Sequence, residues 1–168
     1  LVAFSKINEV IGFDINNQRI DELKKGWDKN NEVDKIDLLN KNIKLTNDIN
    51  DVIEANFHIV AVPTPVSSNN EPNLEPLISA SEKIGSIIKK GDIVVYESTV
   101  YPGVTEEVCI PILEKKSSLY LGRDFKVGYS PERINPGDTQ HTIENIIKVV
   151  SGSDEECVKI IANTYKKI

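Results

Sequence analysis

The sequence has few of the residues that build metal sites or cysteine frameworks. Its 168 residues include two cysteines, two histidines and no methionine. Cys109 and Cys157 lie far apart and neither belongs to a Cys-x-x-Cys pair, so we expect both to be small hydrophobic residues in the core. His58, placed just before a strand, and His141, in a loop, have no neighbour at ligand spacing. A metal site is therefore not expected.

Long apolar runs and clusters of basic residues are also missing. No apolar run approaches the roughly 20 residues that a membrane-spanning helix needs, and no signal peptide is recognisable. The net charge is −6 and the basic residues are scattered, which argues against a nucleic-acid backbone as partner. We expect a soluble, cytoplasmic chain that binds neither a membrane nor a nucleic acid.

The two ends of the sequence lack the usual helix signals. Residues 1–6 form an apolar helical face without a cap or an initiator Met, and residues 160–168 form an amphipathic helix without a stop signal. We expect residues 1–168 to be one domain, cut at both ends from a longer polypeptide.

Apolar, strand-like runs alternate with helix-like segments. Predicted strands cover residues 10–13, 43–45, 59–62, 125–129 and 148–152, together with a run from residue 94 to the hydroxyl pair at 98 and 99. Buried parallel strands have such near-continuous Val/Ile runs. The pattern predicts an α/β fold, a Rossmann-like doubly wound parallel sheet with helices on both faces.

Three local signals place helix boundaries. Asn16 or Asn17 is suited to cap the helix after the first predicted strand. Pro111 lies inside a predicted helix at residues 105–116 and should kink or split it. Residues 153–156, Ser-Asp-Glu-Glu, have the spacing of a capping box for the last helix.

Four predicted strands end in the same way, with an apolar run followed by polar residues or proline. The four ends are Asp14, residues 63–65 (Pro-Thr-Pro), the Ser98–Thr99 pair and residues 130–132 (Ser-Pro-Glu). Ligands of open α/β sheets bind just past the carboxyl ends of the strands. At any one of these ends the polar residues and prolines could merely terminate the strand, but the four ends together predict a shared cleft.

Single residues in this cleft leave alternatives open. An acid at the end of a second Rossmann strand binds the adenosine ribose, about 20 residues after a Gly-x-Gly-x-x-Gly turn. That turn would precede Leu1, so Asp14 could equally be a carboxylate that stabilises a helix start. Arg19 could lie over an adenine or near its phosphates, or be solvated. Glu132 and Arg133 could be a surface ion pair or part of a catalytic loop.

Four segments together resemble the UDP-glucose/GDP-mannose dehydrogenase family. They are residues 12–16 (Gly-Phe-Asp-Ile-Asn), 62–65 (Val-Pro-Thr-Pro), 96–103 (Tyr-Glu-Ser-Thr-Val-Tyr-Pro-Gly) and 129–138 (Tyr-Ser-Pro-Glu-Arg-Ile-Asn-Pro-Gly-Asp). Within the family they are most similar to the UDP-N-acetylhexosamine (glucosamine or galactosamine) 6-dehydrogenases of surface-polysaccharide synthesis. The resemblance covers essentially the whole chain, and the last two segments are long and specific.

The resemblance implies an activity and a set of site residues. Family members oxidise a sugar C6 alcohol to a carboxylate in two hydride transfers, with NAD as cofactor, a UDP-sugar as substrate and a covalent intermediate on a cysteine. The implied NAD-binding residues are Asp14, Arg19, Val62, Pro63, Thr64, Pro65, Ser98 and Thr99. Thr99 and Glu132 are the implied catalytic residues, Glu132 in the hydrolytic half-reaction. Glu132, Arg133 and Ile134 would contact the UDP-sugar.

Two elements of the family are not found in the sequence: its glycine-rich turn and its Gly-Gly-x-Cys nucleophile motif. Neither Cys109 nor Cys157 has the latter context, so neither is a candidate nucleophile. The resemblance thus implies an NAD-binding domain that lacks its first strand, with the central helix and the UDP-sugar domain outside residues 1–168. We expect a homo-oligomer formed through those other domains, and a 168-residue piece that is inactive and binds NAD poorly.

Other functions remain open at this point. The sugar could be glucose or N-acetylmannosamine instead. The chain could also be a non-catalytic nucleotide-binding or regulatory module. A relative of the 3-hydroxyacid dehydrogenases would need a histidine or lysine base, and the sequence offers none that is well placed.

Overall fold

The computed structural model describes residues 1–131 and 146–168. Its α-helices are α1 (Val2–Ser5), α2 (Asn17–Lys24), α3 (Lys35–Leu38), α4 (Glu75–Gly85), α5 (Ile110–Ser117) and α6 (Glu155–Tyr165). Its strands are β1 (Val10–Phe13), β2 (Ile43–Thr46), β3 (Phe57–Val60), β4 (Ile93–Tyr96), β5 (Lys126–Tyr129) and β6 (Ser151–Gly152). A 3₁₀ turn covers Ile49–Val52, and a π-helical turn covers Thr105–Cys109.

The strands form two sheets. β1 pairs with β2 in parallel, and β3, β4 and β5 pair in parallel in that order. Within the described ranges β1 and β3 are not hydrogen-bonded to each other, so each has a strand partner on one side only. This is the arrangement predicted for a Rossmann-like fold whose first strand would lie between them.

β6 corrects the prediction of a sheet that is parallel throughout. It runs antiparallel to β5 at the edge of the larger sheet and pairs over two residues, Ser151 with Tyr129 and Gly152 with Gly128. It is also shorter than the predicted strand at residues 148–152. An apolar pattern encodes the burial of a strand but not its direction, so the sequence could not distinguish the two pairings.

β4 is buried on both faces, as predicted for a doubly wound sheet. Successive side chains of a strand point to opposite faces. Ile93 and Val95 pack with α6, whereas Val94 and Tyr96 pack with α4, α5 and the π-helical turn. The first face buries Cys157, Ile161 and Tyr165; the second buries Leu77, Val104, Cys109, Leu113, Phe125 and Val127. Both cysteines are therefore core residues, as expected.

β3 begins two residues earlier than predicted. It covers residues 57–60 instead of 59–62, so Val62 lies beyond the strand and His58 lies within it. The imidazole of His58 is buried and its Nε2 is 3.1 Å from the Asp92 carboxylate. The Asp92 partner allows the polar His58 to lie in a buried strand. Because Asp92 is 34 residues away, the local apolar pattern could not reveal this, and it predicted a strand that starts two residues later.

The helix starts agree with the sequence in part. Asn16 caps α2 by accepting a hydrogen bond from the Arg19 N–H at 3.1 Å. Pro111 falls in the first turn of α5, directly after the π-helical turn, so the helix changes from π to α geometry there without a break. Proline has no N–H to donate and its ring crowds the preceding turn, which a wider π turn accommodates.

The capping box predicted at residues 153–156 is wrong. Asp154, not Ser153, caps α6: its carboxylate accepts the Cys157 N–H at 2.8 Å. The Glu156 carboxylate accepts from Lys126 Nζ at 2.7 Å. No helix of the described residues is both long and apolar enough to cross a membrane.

Candidate functional site

The loops after β3 and β4 are tied together by side-chain hydroxyls. Ser98 Oγ donates to the Val62 carbonyl at 2.8 Å and accepts the Val62 N–H at 3.1 Å. Thr64 Oγ1 donates to the Thr99 carbonyl at 2.6 Å. Four of the predicted site residues, Val62, Thr64, Ser98 and Thr99, therefore meet at the carboxyl edge of the larger sheet.

Ser98 and Thr99 have different environments although they are adjacent. Ser98 is 4% exposed, and its hydroxyl both donates and accepts within the protein. Thr99 is exposed. Ser98 is thus suited to orient the loop, whereas Thr99 is free to present its hydroxyl to a ligand. Pro63 and Pro65 are exposed beside them and hold an extended backbone, since each ring fixes its own φ.

Asp14 lies directly after β1, at the carboxyl edge of the smaller sheet. Its N–H donates to the Thr46 carbonyl at 3.2 Å, and its carboxylate accepts the Asn16 N–H at 2.8 Å. The residues on either side of it in the sequence line an open cleft of about 500 Å³, whose walls are Phe13, Ile15, Asn47, Asp48, Ile49 and Lys83. Asp14 therefore stands next to a cavity with both apolar and polar walls.

Arg19 is not a solvated surface arginine. Its Nη2 is 2.6 Å from Asp28 Oδ1, and its side chain is 20% exposed. Nη1 is buried and has no hydrogen-bond partner within the described residues. A buried guanidinium nitrogen without a partner costs free energy, so Arg19 can gain from a ligand that supplies an acceptor.

Asp28 organises the loop that holds Arg19. Besides the guanidinium, its carboxylate accepts backbone N–H groups from Asn30, Glu32 and Val33 at 2.9 to 3.2 Å. Burial acts to raise the pKa of Asp28, but the hydrogen bonds from Arg19 and from the backbone lower it below its usual value. The Asp28 carboxylate stays ionised and keeps Arg19 in place.

A cluster that the sequence analysis missed lies one residue before Ser98. Glu97 Oε1 accepts from Tyr165 Oη at 2.5 Å and lies 2.7 Å from Lys148 Nζ. The ammonium of Lys148 is also 4.9 Å from the centre of the Tyr165 ring. The partners are 51 and 68 residues from Glu97 in the sequence, so no local spacing could have revealed them.

Three predicted residues, Glu132, Arg133 and Ile134, lie outside the described residues. Ser130, just before them, is fully buried, and its hydroxyl donates to the Val149 carbonyl at 2.9 Å. Its N–H donates to the Tyr96 carbonyl at 2.9 Å. The end of β5 is thus fixed both to β4 and to the segment that precedes β6.

The comparisons with known proteins cover essentially the whole chain. The model of the UDP-glucose/GDP-mannose dehydrogenase family, NAD binding domain, matches residues 2–168. The chain is 54% identical over 167 residues to protein CapL of Staphylococcus aureus, covering 99% of this chain and 39% of CapL. It is 49% and 50% identical over 168 residues to the UDP-N-acetyl-D-glucosamine 6-dehydrogenases of Salmonella typhi and Pseudomonas aeruginosa, covering 99% of this chain and 40% of each.

Solved structures show the same fold. UDP-D-ManNAc dehydrogenase from Pyrococcus horikoshii matches with a TM-score of 0.90 at 28% identity, over 99% of this chain and 41% of that one. A ternary complex of GDP-mannose dehydrogenase from Pseudomonas aeruginosa matches with a TM-score of 0.88 at 25% identity, over 99% and 40%. This chain spans 39% to 40% of the length of the curated relatives named above. It belongs to the UDP-glucose/GDP-mannose dehydrogenase family and matches the NAD-binding domain of that family.

Proposed function

We propose that this chain is the NAD-binding part of a nucleotide-sugar 6-dehydrogenase. The full-length protein would oxidise the C6 hydroxyl of a UDP-N-acetylhexosamine to a carboxylate in two NAD-dependent steps. The observation that carries the substrate class is the difference in identity: 49% and 50% to two UDP-N-acetyl-D-glucosamine 6-dehydrogenases, against 27% to 33% to UDP-N-acetyl-D-mannosamine dehydrogenases.

The described residues fit the adenosine end of NAD. Asp14 offers a carboxylate beside a cleft of about 500 Å³. Arg19 offers a buried Nη1 that has no acceptor in the part of the chain that the structure describes. A ribose with free hydroxyls can donate hydrogen bonds to the Asp14 carboxylate, and an oxygen-rich ligand can accept one from the Arg19 guanidinium. When bound, NAD supplies the hydride acceptor for the oxidation.

The residues of the chain would divide the remaining work by position. The extended backbone at residues 62–65 would lie along the dinucleotide. Ser98 would hold that backbone in place, and Thr99 would direct its exposed hydroxyl towards the reacting centre. Glu132 would orient or deprotonate the water that releases the product, and Arg133 and Ile134 would contact the UDP-sugar.

The same proposal covers the rest of the protein. Residues 1–168 would be the NAD-binding domain, and the central helix, the nucleophilic cysteine and most of the UDP site would lie elsewhere in the polypeptide. The protein would work in the cytoplasm as a homo-oligomer assembled through those other parts. Glucose or N-acetylmannosamine specificity and a non-catalytic nucleotide-binding module are the competing proposals.

Turnover by the full-length protein separates these proposals. It would be incubated with NAD and, in turn, with the UDP derivatives of N-acetylglucosamine, N-acetylgalactosamine, N-acetylmannosamine and glucose. We expect two NADH per sugar oxidised, a UDP-sugar carboxylate by mass spectrometry, and the highest kcat/KM with an N-acetylhexosamine of the gluco or galacto series. A preference for UDP-glucose or the manno sugar would overturn the substrate class. No NADH with any of the four would favour the non-catalytic module.

A further inference from the structure

We propose that Glu97, Lys148 and Tyr165 form a positioning cluster that fixes the Ser98–Thr99 loop for hydride transfer. The proposal rests on the proposed function for its kinetic consequence. Its structural content, the rigidity of the backbone at residues 97–100, can be measured without any activity.

Glu97 directly follows β4 and is the first residue of the loop. Its N–H donates to the Val60 carbonyl at 2.8 Å, extending the β3–β4 ladder by one residue. Its carboxylate then binds two groups from distant segments, the hydroxyl of Tyr165 at the end of α6 and the ammonium of Lys148 before β6. One side chain thus joins the end of β4 to both segments.

The cluster is shielded from water. The side chains of Glu97 and Lys148 are 19% and 14% exposed, and Tyr165 is 8% exposed. The ring of Phe4 packs at 5.8 Å from the Tyr165 ring. When one partner of a poorly hydrated ion pair is removed, the remaining charge keeps its desolvation cost without the compensating attraction. Removing either Glu97 or Lys148 would leave the other charge without this counter-charge, in contact with the neutral Tyr165 side chain.

The two residues that precede Thr99 are anchored in different ways. Glu97 is held by Lys148 and Tyr165, and Ser98 is held by Val62. The Thr99 carbonyl is held in turn by Thr64. The exposed side chain of Thr99 therefore projects from a backbone that is hydrogen-bonded on both sides of it. A reaction that is sensitive to distances of about 1 Å needs such a fixed backbone.

The same ion pair is connected to the second loop of the proposed site. Lys148 immediately precedes Val149, whose carbonyl accepts the hydroxyl of Ser130 at the end of β5. The Glu97–Lys148 pair therefore adds a second link between the ends of β4 and β5, beside the direct hydrogen bond from the Ser130 N–H to the Tyr96 carbonyl.

A comparable ion pair elsewhere provides the control. Lys126 lies at the start of β5, at the amino ends of the parallel strands and thus opposite the Ser98–Thr99 loop. Its Nζ is 2.8 Å from Asp154 and 2.7 Å from Glu156. Its side chain is 22% exposed, similar to that of Lys148. Lys126→Met removes two ion pairs far from the site, with carboxylates that are 39% and 74% exposed against 19% for Glu97, so it measures the cost of losing a partly buried lysine and its ion pairs there.

The test compares Glu97→Gln, Lys148→Met, Lys148→Arg, the Glu97→Gln/Lys148→Met double variant and Lys126→Met in the full-length enzyme. We expect kcat to fall about 10-fold or more in Glu97→Gln and Lys148→Met, with KM for NAD changed less than about three-fold, because a displaced reacting group impairs the transition state more than binding. The double variant should be no worse than the poorer single variant, and Lys148→Arg should recover part of the loss. Lys126→Met should keep its kcat.

Amide hydrogen exchange of peptides covering residues 97–104 gives the second measurement. Exchange there should be faster in Glu97→Gln and Lys148→Met but not in Lys126→Met. Unchanged exchange in both site variants, or a kcat loss equal to that of Lys126→Met, would overturn the cluster's role. If the wild type oxidised no UDP-sugar, the proposed function would fail, and the exchange data would still decide whether the cluster fixes the loop.

Discussion

The hydroxyl of Ser98 hydrogen-bonds both backbone groups of Val62, its carbonyl and its N–H. The carbonyl of Val62 accepts at 2.8 Å and its N–H donates at 3.1 Å. Val62 stands two residues past the end of β3, where the sheet no longer provides these partners. A single serine thereby extends the order of the sheet into the loop that would line NAD.

Replacing Ser98 by Ala should destabilise the full-length protein. Two backbone groups of Val62 would lose their partner, and leaving such groups unsatisfied costs about 1 to 3 kcal/mol each where they are buried. Since Val62 is half-buried, we expect the lower part of that range in urea unfolding, together with a raised KM for NAD. Ser86→Ala is the control, because the exposed Ser86 hydroxyl donates only to the Lys83 carbonyl of its own helix turn. Equal stability of the two variants would count against the Ser98 argument.

Asp14 should determine the choice between NAD and NADP. Its carboxylate would accept hydrogen bonds from a free ribose 2′-hydroxyl and repel a 2′-phosphate. In the full-length enzyme, Asp14→Ala should raise KM for NAD by about 10- to 100-fold, the range for hydrogen bonds to a charged group, and reduce the preference over NADP. Asp21→Ala, on the exposed face of α2, should change neither value. A wild type that used NADP as well as NAD would contradict this role.

The sequence predicted those features that depend on local patterns. β1 has the predicted bounds because an apolar run ends abruptly at Asp14, and α2 begins at Asn17 after Asn16, one of the two predicted caps. The shared cleft predicted from four strand ends stays a prediction: the loops after β3 and β4 meet, but the described cleft beside Asp14 is lined by none of residues 62–65, 98 and 99.

Features that depend on partners distant in sequence were not predicted. His58 lies inside β3 because Asp92 pairs with it across the sheet. Glu97 meets Lys148 and Tyr165 only once α6 has folded onto the face of β4. Asp154 replaces Ser153 as the cap of α6, with Lys126 of β5 beside it. In each case a tertiary contact decides between local alternatives.

Asp124 should give the protein part of its stability at neutral pH. Its side chain is 3% exposed, and the hydrogen bond from Arg123, helped by the Tyr120 N–H, lowers the pKa of Asp124 to about 2. A carboxyl whose folded pKa lies below its unfolded value of about 3.9 stabilises the fold fully above that value and less as pH falls towards 2.

Asp124→Asn should therefore unfold at lower urea than the wild type at pH 7, and the difference should shrink between about pH 4 and pH 2. Asp37→Asn, at an exposed position in α3, is the control for the loss of one carboxylate in itself. A destabilisation by Asp124→Asn that stayed constant from pH 7 down to pH 2 would show that packing, not ionisation, accounts for it.

Glu132 should serve the hydrolytic half-reaction more than the oxidations. In the proposed reaction, the cysteine-bound intermediate after the second oxidation would be a thioester; the oxygen of water would bond to its carbonyl carbon, the carbon–sulfur bond would break, and the thiol would leave with a proton. Without a carboxylate to orient or deprotonate that water, Glu132→Gln in the full-length enzyme should accumulate a covalent sugar adduct, with hydrolysis slowed about 10²- to 10⁴-fold. Intact-protein mass spectrometry would detect it. Finding no adduct, with the first oxidation slowed instead, would give Glu132 another role.

The 168-residue chain by itself should bind NAD more weakly than micromolar and turn over no sugar. Among the strands of residues 1–131 and 146–168, β1 and β3 each have a partner on one side only, and Ile59 in β3 is 37% exposed. Backbone groups left unpaired cost about 1 to 3 kcal/mol each if buried, against a typical total stability of about 5 to 15 kcal/mol. The sequence also offers no Gly-x-Gly-x-x-Gly turn, whose backbone and following helix start form the main pyrophosphate site of this fold. Titration calorimetry and thermal unfolding of this chain test the point: micromolar NAD affinity with a cooperative melt would mean that β1 and β3 need no common neighbour.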